Sequence, residues 1–402
     1  MTSKLLSGVK VIDLTNILSG PLCSHQMVML GAEVIKIERP GAGDLSRKFG
    51  ADSALNAKLM GVSFCAVNAG KKSITLNLKD AEGKAILKQL VKDADVVMEN
   101  FLPGTMKSLG LNYDVLKEIS PGLIYCALSG FGQTGPLSHR PVYDQIIQGF
   151  CGIMALTGDA ETAPVRSGYT VCDTMASMMA AFGICAALYN KQKTGKGEMI
   201  DVSMLNASLS TMAAWTISNF MNAGQVPVPR GNDNLSASPS GTFKTSDGLL
   251  NIVNNEEKHF HRLCDAIGLP DFKTDTRFSS RDARLRNREE LKTLLEQALQ
   301  KKNATEWDRV LDEVSVPAGR ILSVPDIMSH SQIEHQQLVK HFANVPGVGR
   351  GIAVTRIDFN LASGVPDVDT PPPQLGQDTE AILKGIGRST QDIEGLRQRG
   401  VV

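Results

Sequence analysis

A single carboxylate, Asp173, stands directly before a run of seventeen residues, Thr174 to Asn190, that carries no charge. A carboxylate held anionic at the mouth of a buried helix can act as a covalent nucleophile. The run reads TMASMMAAFGICAALYN and is apolar or small until its last two residues. That is the pattern of a helix buried on all sides. Directly ahead of it Asp173 takes the N-cap position, where the positive end of the helix favours the ionised form. Position alone leaves two readings open: Asp173 only caps the helix, or it reacts.

Other chemistries lack their residues. The second β-type run ends in Glu38, as a dinucleotide site would, but the turn after the first is Thr15-Asn16-Ile17-Leu18-Ser19-Gly20. It has no GxGxxG, so the close approach of backbone to a pyrophosphate lacks its glycines. Gly347-Val348-Gly349-Arg350-Gly351 is a turn by the same test. The chain has no GxxxxGK[ST] loop, no GxSxG elbow and no HExxH. His259 and His261, two apart in a helix, point in different directions. The seven cysteines are scattered without metal-site spacing, which reads as reduced thiols, most of them in the core, and no metal is expected. Arg39, exposed after a strand, suits a phosphate or is a solvated loop residue. Lys71, Lys72 and Lys79 line an anionic pocket or form a solvated face.

The elements that must position these groups alternate. Residues 9–13, 33–38, 73–77, 95–98 and 122–128 are short β-type runs, and 80–92 has helical spacing. Strands alternating with helices imply a parallel, doubly wound α/β layer, whose ligands bind at the carboxyl ends of the strands. A strand at 199–203 and a helix from about Leu205 follow the turn at 191–197. Residues 1–223 form the first part of a large α/β domain, 224–240 a linker, 241–330 a smaller α+β domain, and 331–402 a return segment packing on the large domain. With 42 basic and 42 acidic side chains, the net charge is zero. That balance excludes broad electrostatic binding to nucleic acid or an anionic membrane. The amino-terminal stretch does not read as a signal peptide, and a cytoplasmic, soluble protein is expected.

The segments VIDLTNILSGPLCSHQMVMLGAEVIKIERPGAGDLSR, NAGKKSITLNLKDAEGK, DVVMENFLPGTMKSLGL, LIYCALSGFGQTGPLSHRPVYDQIIQGFCGIMALTG, PVRSGYTVCD, KTGKGEMIDVSMLNA, VPAGRILSV and PPPQLGQDT occur in this order. Together they closely resemble the family III CoA-transferases, the group of formyl-CoA, carnitine and succinyl-CoA-dependent dicarboxylate CoA-transferases. The resemblance runs from about Gly8 to about Ile386. It implies a Rossmann-like large domain with a small domain, two chains interlocked as a homodimer, and Asp173 as nucleophile, so that it caps and reacts. It also implies CoA contacts at Leu18, Ser19 and Arg39, at Leu76, Asn77, Leu78 and Lys79, at Asn100, Phe101 and Leu102, and at Ser129, Gly130, Phe131 and Gly132. Coenzyme A and acyl-CoA enter as substrates, with no tightly bound cofactor. Ser108 departs from the pattern, standing where many members have Arg or His for a phosphate.

The implied chemistry is transfer through an aspartyl anhydride and an aspartyl-CoA thioester, which needs water kept out. α-Methylacyl-CoA racemases share the fold, but need a His before an Asp as second base, and the dipeptide here is Tyr143-Asp144. A phenol of ordinary pKa near ~10 is a poor base at neutral pH. A non-catalytic CoA-binding protein is the third reading, and the intact Asp173 opposes it. Residues 231–243 lack the glycine-rich loop of formyl-CoA/oxalate transferases, which points to a succinyl-CoA-type donor and a small dicarboxylate acceptor.

Overall fold

Short runs of β-branched residues build the centre of the molecule. The computed structural model describes residues 4–357 and 359–402. The runs become strands β1 (Lys10–Asp13), β2 (Glu33–Glu38), β3 (Lys72–Thr75), β4 (Val96–Glu99), β5 (Ile124–Ser129) and β6 (Glu198–Ser203). All pair in parallel, in the order β3-β2-β1-β4-β5-β6. Parallel neighbours need crossovers, and helices supply them. In chain order the principal ones are α1 (Ser19–Met29), α2 (Ala81–Val91), α3 (Asp144–Phe150) and α4 (Val171–Thr194), and a further helix, α5 (Met204–Thr211), follows β6. This is the doubly wound order, whose winding reverses between β1 and β4 and leaves a crevice at their carboxyl ends.

The chain divides into two compact units. One comprises 1–151, 167–225 and 331–402, and the other 152–166 and 226–330. In the first, the sheet's outer strand is sealed by residues from the far end of the sequence. The Asp378 carboxylate accepts from the Ser73 amide at 2.8 Å, the Asp378 amide donates to the Ser73 carbonyl at 2.9 Å, and Asn77 donates to the Val401 carbonyl at 2.8 Å. Val401, Leu383, Ile393 and Leu396 are buried in the same core as β1 and β3.

The second unit holds an antiparallel sheet of β7 (Ser240–Lys244), β8 (Leu249–Val253) and β9 (Ala318–Arg320), with helices at Glu257–Ile267, Arg288–Leu299 and Ala304–Glu313. Phe243, Leu250, Ile252, Phe260, Leu295 and Trp307 form its own core.

Two expected boundaries shift. Residues 152–166, expected in the large domain, belong to the second unit. There the Gly231 amide donates to the Gly158 carbonyl at 2.7 Å, and the Val165 amide to that of Thr157. The expected linker 224–240 is largely part of that unit as well. Arg284 and Arg288 donate to the carbonyls of Ser238 and Asn234 at 3.0 and 2.6 Å, fixing a stretch whose composition reads as loose.

Helix α4 also differs from expectation. It starts at Val171, so Asp173 lies inside its first turn and is not the N-cap. Nor is it buried on every side: Ala176, Ala180, Ile184 and Leu188 are covered, while Phe182 and Tyr189 are 74% and 61% exposed. Met179 and Cys185 lie on the same uncovered face, so Cys185 is the cysteine outside the core. Hydropathy reports that a helix is apolar, not which chain covers it. Among the described residues α4 is the one helix long and apolar enough to cross a membrane. It packs instead on α1, α5, β5 and β6.

Candidate active site

The loops leaving β1 and β4 meet at the crevice where the winding reverses. Asn100, just past β4, accepts from the Asn16 amide at 2.8 Å and donates to the Asn16 carbonyl at 2.9 Å. The β1 loop then turns through Ile17 at φ 70°, a left-handed conformation that costs a β-branched residue about 1–2 kcal/mol. Helix α1 begins two residues later. It can do so against the loop because Gly20 has no side chain: a Cβ there would lie 2.3 Å from that of Thr15.

This turn forms one wall of a cavity of about 300 Å³. Asn16, Ile17, Leu18, Ser19, Asn100, Phe101, Ser129, Gly130, Tyr143 and Asp173 line it, together with Leu45, Leu128, Val142 and Met204. Among these, Asp173 is the only charged group.

Three neighbours determine what Asp173 is. The amides of Cys172 and Asp173 itself donate to Asp144 Oδ1 at 2.8 and 3.2 Å. A carboxylate on α3 therefore caps α4 from outside, and the capping role expected of Asp173 belongs to Asp144. Gln148, one turn along α3, donates to Asp144 Oδ2 at 2.5 Å and to the Tyr169 carbonyl at 3.2 Å, and accepts from the Ser167 amide at 2.8 Å. The two side chains thus pin the segment leading into α4. The Ser19 hydroxyl lines the same cavity as Asp173. Burial pushes the pKa of Asp173 up to about 6, the charge of Asp144 adds to the rise, and Ser19 opposes it. The helix end does not keep this carboxyl at an ordinary value, yet at neutral pH it is mostly ionised.

A second cavity of about 520 Å³ adjoins the first through Asn16 and Phe101. Glu38, Arg39, Leu76, Asn77, Leu78, Lys79, Thr105 and Ser108 are among its lining residues. Arg39 and Lys79 are its cations, both solvent-exposed. The Ser108 hydroxyl turns back to the Thr105 carbonyl at 2.7 Å.

Most sequence-predicted contact residues therefore gather at two adjoining cavities, and three do not. Leu102 is 45% exposed outside both. Phe131 packs edge-on against Phe150 at 5.2 Å. Gly132, at φ 89°, shapes the turn whose next amide, Gln133, donates to Asp201 at 2.9 Å. Lys71 and Lys72 also stand elsewhere: Lys71 is buried on Asp13, and Lys72 pairs with Glu33 on the surface. Sequence reasoning missed Ile17, Leu45, Met204 and above all Asp144 and Gln148. The i, i+4 spacing of two hydrogen-bonding side chains in DQIIQ was the one available signal for the last pair.

A doubly wound sheet with a recessed carboxylate at its switch point, and a cation-edged cavity beside it, defines an α/β enzyme class suited to nucleotide-bearing substrates. The sequence narrows this: residues 6–379 match the profile of CoA-transferase family III, and the chain belongs to that family. It is 36% identical to the succinyl-CoA:glutarate CoA-transferase of Mus musculus over 99% of this chain and 90% of the relative. It is 39% identical to the acetyl-CoA:oxalate CoA-transferase of Acetobacter aceti, over 90% of this chain and 92% of the relative. The crystal structure of a CAIB/BAIF family protein from Brucella suis superposes with a TM-score of 0.84 at 32% identity, covering 96% of this chain and all of that one.

Proposed function

We propose that the protein moves CoA from succinyl-CoA to a small dicarboxylic acid, with Asp173 as the covalent relay. The observation that carries this is the Asp173 carboxylate itself: half-buried, released from capping, and lining a walled cavity. Its oxygen attacks the thioester carbonyl, forming an acyl-aspartyl anhydride and releasing CoA thiolate. The thiolate attacks the aspartyl carbonyl, giving an aspartyl-CoA thioester and free succinate. The acceptor carboxylate then displaces CoA to form a second anhydride. The returning thiolate attacks its acceptor carbonyl, which yields the new acyl-CoA and restores Asp173. Leu18, Leu45, Phe101, Leu128, Val142 and Met204 supply apolar walls that keep water from both intermediates. The cavity edged by Arg39 and Lys79 receives the phosphate-bearing end of CoA, and the shared wall at Asn16 and Phe101 lets the thiol arm pass toward Asp173.

Relatives named for succinyl-CoA with glutarate, mesaconate and D-citramalate support the donor and acceptor class. Tyr143, where racemisation needs a histidine, opposes the isomerase reading. The uncovered face of α4 supports a homodimer in which a second copy covers Phe182 and Tyr189. Neither nucleic acid nor membrane is a partner in this reading, and the protein works in the cytoplasm.

Two measurements test it. Incubation with succinyl-CoA alone should leave a hydroxylamine-sensitive adduct on the peptide containing Asp173. A screen of glutarate, mesaconate, citramalate and oxalate should show a dicarboxylate preferred with succinyl-CoA over acetyl-CoA. An unmodified Asp173, or α-proton exchange on a chiral 2-methylacyl-CoA as fast as transfer, would overturn the reading. Sedimentation at nanomolar concentration checks the dimer.

A further inference from the structure

A buried carboxylate that the chemistry above does not use stands at the end of β4. Glu99 is 4% exposed. Unlike Asp13, Glu38 and Asp44, it pairs with no cation among the described residues. In the parallel ladder Val97 lies opposite Tyr125, and Glu99 opposite Ala127. Alternation along a strand puts these four side chains on one face of the sheet. Val97, Tyr125 and Ala127 on that face belong to the apolar core. The Tyr125 hydroxyl reaches diagonally to Glu99 Oε1 at 3.3 Å, and Glu99 Oε2 accepts from the Phe101 amide at 2.8 Å.

The first residues past β4 are thus held in two directions. Asn100 ties them to the Asn16 backbone of the β1 loop, and Glu99 ties them to β5. Phe101 is one of the two residues that the cavities share, Asn16 being the other. A carboxylate in apolar surroundings with no cation is a cost to the fold. Burial pushes the Glu99 carboxyl up to about 7, its two hydrogen bonds oppose the rise, and Asp201 adds to it. What the carboxylate contributes is its hold on Phe101.

We propose that Glu99 is a positioning residue for acyl-CoA: by accepting from the Phe101 amide it keeps Phe101 in the wall between the two cavities, where the thiol arm passes. The inference rests on CoA lying across both cavities, as proposed above. Its neighbours do not substitute for it. Asn100 fixes the backbone of Asn16 and leaves the Phe101 amide to Glu99. Asp201, the other carboxylate acting on Glu99, is engaged with the Gln133 amide at 2.9 Å.

The test is calorimetric titration of the intact protein with CoA, beside steady-state kinetics with succinyl-CoA. Glu99→Leu removes the acceptor and should weaken CoA about tenfold, raising the KM for succinyl-CoA more than it lowers kcat. Glu99→Gln keeps an oxygen for the same amide and should recover most of that loss. Phe101→Ala should weaken CoA by itself, and Glu99→Leu/Phe101→Ala no further, since both act through one residue. A merely structural role would lower the melting temperature and the active fraction while leaving the Kd of the folded protein unchanged. Wild-type affinity in Glu99→Leu, equal losses in the leucine and glutamine variants, or additive losses in the double variant would overturn the proposal. If Glu99→Leu does not fold, Glu99→Leu/Tyr125→Phe leaves no orphaned hydroxyl and carries the same measurement with the same outcomes. An unweakened Phe101→Ala sinks the placement of CoA and this proposal together. A weakened Phe101→Ala beside an unchanged Glu99→Leu sinks only this one.

Discussion

Two groups of carboxylates lie in the same unit, one fully buried and one around the half-buried Asp173, and their surroundings are opposite. Beneath the sheet's carboxyl edge, Asp13, Glu38 and Asp44 are each matched by a cation, Lys71, Arg47 and Lys36 respectively. Burial by itself pushes these carboxyls up, but the ammonium and guanidinium groups, with hydroxyls of Ser24, Thr15 and Ser73, hold all three below the usual range. Lys71 is drawn down to about 8, chiefly by burial. At the mouth of α4, Asp173 has another carboxylate for company and no cation in its cavity, and it rises to about 6. Matched charge thus gives a silent scaffold even at full burial, and unmatched charge makes the half-buried Asp173 a responsive group. The first set holds peptide groups in place, and in the proposed function Asp173 forms and breaks bonds.

The sharpest way to break this contrast is Asp173→Asn. Transfer should fall by at least about a thousandfold in steady-state assays if Asp173 is the nucleophile proposed above, because the attacking oxygen is gone. Its stability should rise at the same time. The folded pKa lies above the unfolded value, so the group's favourable contribution is full below about pH 4 and lost as pH rises through 6. Above pH 6 the asparagine variant should therefore be more stable than wild type by about 1–3 kcal/mol in urea titrations, with the gain vanishing near pH 4. A destabilised Asp173→Asn at pH 8 would contradict the unmatched environment.

Next in size, Asp13→Asn should destabilise the fold by about 3 kcal/mol, since Lys71 loses its partner in the interior. Here the sign is opposite: the Asp13 contribution is present above about pH 4 and lost as pH falls below it. The loss in the variant should therefore be clear at pH 7 and shrink in acid. The smallest effect is expected from Asp144→Asn. The amide oxygen still accepts from Cys172 and Asp173, so the cap survives, but the like charge is removed. The acid limb of kcat/KM should then shift below its wild-type position near 6 without loss of folding.

The sheet was legible because β-branched runs such as VKVID and EVIKIE can satisfy their backbone and bury their faces in one way. Asp173 was legible by contrast, one charge before a long uncharged helix. The resemblance supplied the contact residues that periodicity cannot assign, and the structure seats most of them at the two cavities while leaving Leu102, Phe131 and Gly132 aside. The cap on α4 was not legible, because its donor and acceptor lie 28 positions apart and only packing of α3 on α4 joins them. Ile17 gave no signal either, since nothing in an isoleucine announces a positive φ. The bared face of α4 and the attachment of 152–166 depend on partners that local sequence does not name.

The sealing of β3 by Asp378 has a consequence for the chain as it is made. The amide of Ser73 finds its acceptor 305 residues later, and Asn77, on the wall of the second cavity, is tied to Val401. While the ribosome is still delivering the second unit, this strand presents an open, unpaired border, the kind that recruits foreign strands. Closure waits until Asp378 and Val401 have emerged, so a nascent chain stalled or ended before them should be adhesive and unable to hold CoA. The burden of a late nonsense lesion would then fall on protein quality control more than on the chemistry at Asp173.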